Sequence, residues 1–157
     1  MSSASDCGFL SRLSSGNKEG VHTGYAGMYA ASAIPSARFN QRIADGQRAG
    51  VHVGYVGNYA ASKYTPAEFN RRIKDGEERG IPTGYLGAYA ASNMRPDDFL
   101  QRLSDGGKAG IHAGYVGNYA ASAMVAKKFN ARVSEAAAGG VPTGYAGDYA
   151  ASTCSIN

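Results

Sequence analysis

Three histidines, His22, His52 and His112, occupy one place in a phrase that returns every 30 residues. Histidine there could hold a metal or move a proton. The same place is filled by Pro82 and Pro142 in the other two copies, and proline can do neither. What the two residue types share is tolerance of extended backbone. Asp45, Asp75 and Asp105 also recur, each followed by glycine, which suits a turn or helix end rather than a partner for a nucleophile. The Gly-x-x-Gly around each tyrosine resembles a phosphate loop in letters only. It lacks the Lys-Ser/Thr ending and the preceding apolar strand that let such a loop cradle phosphate. No catalytic residue, metal ligand or cofactor motif emerges, so a non-enzyme without cofactor is expected.

What recurs without exception is aromatic. The phrase G-Y-x-G-x-Y-A-A-S starts at Gly24, Gly54, Gly84, Gly114 and Gly144. It places tyrosines four apart, at Tyr25 and Tyr29, Tyr55 and Tyr59, Tyr85 and Tyr89, Tyr115 and Tyr119, and Tyr145 and Tyr149. Tyrosine combines a large apolar area with a polar tip and is enriched in contacts between proteins. The glycines, Gly24 and Gly27, Gly54 and Gly57, Gly84 and Gly87, Gly114 and Gly117, and Gly144 and Gly147, would let the backbone approach another surface. Two readings stand for the tyrosine pairs: the core of a solenoid, or anchors on a partner. Each unit offers few large apolar side chains, and the last unit looks like the middle ones rather than a polar cap. Both points favour docking.

Upstream of each phrase stands F-x-x-R-[LIV]: Phe9 and Arg12, Phe39 and Arg42, Phe69 and Arg72, Phe99 and Arg102, Phe129 and Arg132. Phenylalanine, arginine and the following aliphatic share one helical face. The arginine either covers its neighbouring ring or pairs with a carboxylate on a partner.

These residues must be positioned by a tandem array, as a fixed period of this size implies. The units are taken as 9–38, 39–68, 69–98, 99–128 and 129–152, with tails at 1–8 and 153–157. Each begins with a short helix. In the third, Thr65 caps, Pro66 fits the first turn and Glu68 completes a capping box. Asp97 and Asp98 put negative charge at the start of the fourth. Gly20, Gly50, Gly80, Gly110 and Gly140 stop the helices. The second half, with two glycines each costing a helix about 1 kcal/mol, reads as an extended or looped segment ending in a helical turn at Tyr-Ala-Ala-Ser. The expected fold class is a mostly non-globular repeat protein of five 30-residue units without a single hydrophobic core.

Composition agrees with that reading. The chain has 157 residues with 22 Gly and no Trp, and its apolar share leans on Ala and Tyr. A net charge of +4 favours an acidic surface as partner. The basic residues are too interrupted by acidic ones for a nucleic-acid patch. No apolar run approaches the roughly 20 residues of a membrane span. Cys7 and Cys154 stand outside the repeats and make no disulfide framework, which points to a reducing compartment. The Ser-rich opening reads as the start of the first repeat rather than a transit peptide.

The stretches TGYAGMY, VGYVGNY, TGYLGAY, AGYVGNY and TGYAGDY resemble the repeated tubulin-contacting motifs of small axonemal microtubule-associated proteins, including microtubule inner proteins. The chain departs from the commoner phrase in carrying Tyr-Ala-Ala-Ser where a proline-containing end is usual. The resemblance implies a structural protein of the cytoskeleton, lying along tubulin in the axoneme of a cilium or flagellum and meeting other axonemal proteins. Its tyrosines, phenylalanines and arginines would address equivalent lattice sites. A helix of ~12 residues at ~1.5 Å each and ~18 extended residues at ~3.3 Å each span roughly 75–80 Å per unit, on the scale of a tubulin heterodimer. The alternative is a self-folded helical-hairpin solenoid acting as a cytosolic adaptor.

Overall fold

The computed structural model describes residues 7–157; residues 1–6 of the expected N-terminal tail lie outside it. Each unit is a pair of helices. The outer layer consists of α1 (Phe9–Lys18), α3 (Ser36–Arg48), α5 (Pro66–Glu78), α7 (Pro96–Lys108) and α9 (Ala126–Ala138). The inner layer consists of α2 (Ala26–Ala31), α4 (Val56–Ala61), α6 (Thr83–Ala91), α8 (Val116–Ala121) and α10 (Thr143–Ala151).

The outer helices start and stop on local signals. The Thr65 hydroxyl accepts from the Glu68 amide, and the Glu68 carboxylate accepts from the Thr65 amide, a complete capping box. At the other end Gly20, Gly50, Gly80, Gly110 and Gly140 all take φ between 86° and 89°. There the Gly20 amide reaches Asn17 O while the Val21 amide returns to Gly16 O at 2.9 Å. That pair of bonds ends the helix with a residue in the left-handed region, where only glycine is at ease.

The second half of each unit corrects the sequence reading. The Gly-Tyr segment is helical, not extended, and the fold is a compact all-helical one rather than a non-globular array. The glycine penalty is local and small, while the inner helices gain burial on both sides. The second glycine of each phrase is buried, which lets neighbouring helices close on it. The accessible surface is 8163 Å2, near the ~7,500 Å2 of a compact chain of this mass and far from the ~24,000 Å2 of an unfolded one. Phe9, Phe39, Phe69, Phe99 and Phe129 have no exposed surface, and apolar clusters run between the two layers all the way round.

The array closes. Successive inner helices pack side by side from α2 to α10, and α10 packs against α2 in turn. The second tyrosine of each unit meets the phenylalanine of the next edge-on, from Tyr29 with Phe39 to Tyr119 with Phe129, at ring separations of 5.4–5.6 Å. Tyr149 meets Phe9 the same way at 5.5 Å. The seam keeps the register of the repeat. Phe39, Phe69, Phe99 and Phe129 donate their amides to the residue four back, while Phe9 donates to Ser155 O at 2.9 Å and Leu10 to Ile156 O at 2.8 Å. Residues 155 and 156 therefore supply to α1 the first turn that the other outer helices carry themselves. Cys7 and Cys154 are joined in a buried disulfide across this seam, so the expectation that the two cysteines make no disulfide framework is corrected.

Candidate functional site

The five arginines are engaged inside the ring. Arg72 donates from Nε to Ala90 O and from Nη2 to Tyr89 O and Met94 O, all at 2.9 Å. Arg12, Arg42, Arg102 and Arg132 repeat this on the equivalent carbonyls. Each guanidinium caps the carbonyl end of its inner helix, where a cation also complements the helix dipole. It lies over the ring of the second tyrosine, at 4.1–4.4 Å from the centroid. Arginine, phenylalanine and second tyrosine thus form one internal unit. Tyr29, Tyr59, Tyr89, Tyr119 and Tyr149 are buried. The Tyr149 hydroxyl donates to Glu135 at 2.6 Å, whereas the buried Tyr89 hydroxyl finds no partner. Burial pushes both phenols above their ordinary pKa.

The first tyrosines join one unit to the next. The half-buried Tyr25, Tyr55, Tyr85, Tyr115 and Tyr145 lie against Gly57, Gly87, Gly117, Gly147 and Gly27 of the following unit, so closely that a Cβ there would stand 2.6–3.2 Å from the ring. Tyr115 and Tyr145 also donate to Thr143 O and Thr23 O, each at 3.2 Å. The surface these glycines approach is that of the neighbouring unit. The first glycine of each phrase differs: Gly24, Gly54 and Gly114 donate to the Nδ1 of His22, His52 and His112, while a Cβ at Gly84 or Gly144 would meet open space.

The inner helices surround the ring axis, and there the copies differ. The second variable letter of the phrase, between glycine and second tyrosine, is Met28, Asn58, Ala88, Asn118 and Asp148. These five residues line two cavities along the axis. One, of about 270 Å3, is walled otherwise by Ala31, Ala61, Ala91, Ala121 and Ala151 with the serines that follow most of them. The other, of about 370 Å3, opens among Gly54, Tyr55, Thr83, Gly84, Tyr85 and Gly114. The five form a collar between the two. The Asn118 amide donates to Asp148 Oδ1 at 3.3 Å, and the other carboxylate oxygen lies over Gly27 across the seam. Burial raises the Asp148 pKa to about 6, against the weaker opposing pull of the Asn118 hydrogen bond. The serine hydroxyls are turned back to the carbonyl of the second tyrosine.

Sequence reasoning passed over this collar because it looked for what recurs. The signal that could have found it is the reverse: the one half-buried position of the phrase whose chemistry changes from copy to copy. Among the described residues no group of three or more His, Cys, Asp or Glu is placed to hold a metal. Comparison with known protein families, curated proteins and solved structures finds no match to this chain.

Proposed function

We propose that this chain is a self-folded, closed ring of five helical hairpins that acts as a non-enzymatic binding scaffold, with its binding position on the ring axis. The observation that carries this reading is the collar. A frame of repeated phenylalanine, tyrosine, arginine and glycine holds five side chains of four different types around one line. The chemistry gathered there is that of binding: one carboxylate, two carboxamides, a thioether, methyl groups, and hydroxyls already bonded to carbonyls.

The filament reading rested on units laid in a row, each offering a free tyrosine pair to a lattice. In a closed ring the units face five directions, and the second tyrosine of each pair is spent on the core. The disulfide suits a compartment where thiols are oxidised.

Small-angle scattering and analytical ultracentrifugation of the purified chain test the proposal, with microtubule co-sedimentation alongside. A monomer of helical circular dichroism with a radius of gyration of about 15 Å is expected, against about 42 Å for an unfolded chain of this length, together with no pelleting. An extended particle that pellets with microtubules would overturn the ring and restore the filament reading.

A further inference from the structure

We propose that the axial cavity takes a small primary ammonium compound, its charge set against Asp148 and its carbon skeleton among the alanine methyls. This rests on the closed ring and names the ligand class of its axis. Among the described residues Asp148 is the one charged side chain lining either cavity, and no lysine, arginine or histidine faces it there. Its single hydrogen-bond donor among the described residues is the neutral Asn118 amide. A half-buried carboxylate without a cation is costly, and such a group is normally paired. The arginines that could have paired it are held by the carbonyls of the inner helices, away from the axis. The five alanines around the mouth leave width for an alkyl chain and offer it apolar contact. With its 270 Å3, this cavity is near the lower end of small-molecule sites, roughly 300–1,000 Å3. A carboxylate facing an alkyl-lined opening selects a ligand with a compact cationic head and a short apolar tail. An anion meets Asp148, and a neutral alcohol leaves its charge unanswered.

Isothermal titration calorimetry at pH 8 with n-butylammonium chloride tests this, with n-butanol, sodium butyrate and sodium chloride at equal concentration as comparisons. Binding is expected for the amine alone. The Asp148→Asn variant should bind at least tenfold more weakly while retaining wild-type circular dichroism. A second variant, Ala88→Leu, keeps the carboxylate but fills the collar and should lose binding as well. Equal binding of butanol, or undiminished binding by Asp148→Asn, would overturn the proposal, as would no heat from the amine at ~10 mM, about tenfold above a Kd of ~1 mM. Scattering on the same samples separates the two claims: a compact particle without amine binding removes the ligand alone, and an open chain removes the ring.

Discussion

Replacing Asp148 by asparagine should make the ring more stable, and only above a particular pH. The carboxyl pKa stands at about 6 in the fold against an ordinary 3.8. At about 1.4 kcal/mol per pH unit, ionising it inside the ring costs about 3 kcal/mol. The folded state holds its proton longer than the unfolded state does, so this group lowers stability as pH rises from about 4 to about 6. Below that window the acid is neutral in both states and the cost vanishes. Asparagine has nearly the same shape, keeps a polar contact for Asn118 and never ionises. Urea denaturation followed by far-ultraviolet circular dichroism at pH 3.5, 5, 6 and 8 (roughly the span over which carboxylates titrate) should therefore show a variant-minus-wild-type gap. The gap opens between about pH 4 and 6 and levels near 3 kcal/mol. The Glu68 carboxylate, held below its ordinary pKa by the capping-box hydrogen bonds to Thr65, gives the opposite slope in both proteins and cancels in the difference. A gap that stays flat across this range, or a variant less stable than wild type at pH 8, would refute the account of Asp148 as a half-buried charge without a cation.

Arg72→Met leaves three carbonyls without their charged donor and should cost about 3–5 kcal/mol by urea denaturation; Arg72→Lys, which keeps the charge but not the fork, should recover less than half of it. Exchanging both Cys7 and Cys154 for serine frees a loop of sequence separation 147 and should lower stability by up to about 5 kcal/mol. The scattering profile should remain that of a ring, since helix packing also holds the seam; an opened profile would show that the disulfide alone closes it. Asp75→Glu should extend the carboxylate to the unpartnered Tyr89 hydroxyl as Glu135 does to Tyr149. A gain of about 1 kcal/mol is expected, read as a higher urea midpoint.

The sequence by itself determined the unit and its ends. The 30-residue interval, the Thr65–Glu68 capping box and the five helix-stopping glycines are local matters of hydrogen bonding and backbone freedom, and all were readable in the letters. The Phe/Arg face and the tyrosine pair were also visible as recurring positions. Their partners were not, because a repeated contact surface looks the same whether it meets another protein or the next copy of itself. Only the tertiary structure decided that. It showed Gly57 receiving Tyr25, Phe39 receiving Tyr29, and Arg12 reaching the carbonyls of its own inner helix. It also decided that five such steps return to their start, since closure depends on the angle between successive hairpins, a quantity no single unit states. Once the ring is closed, residues 30 apart in sequence become neighbours around one axis. Met28, Asn58, Ala88, Asn118 and Asp148, scattered variations along the chain, become a single site.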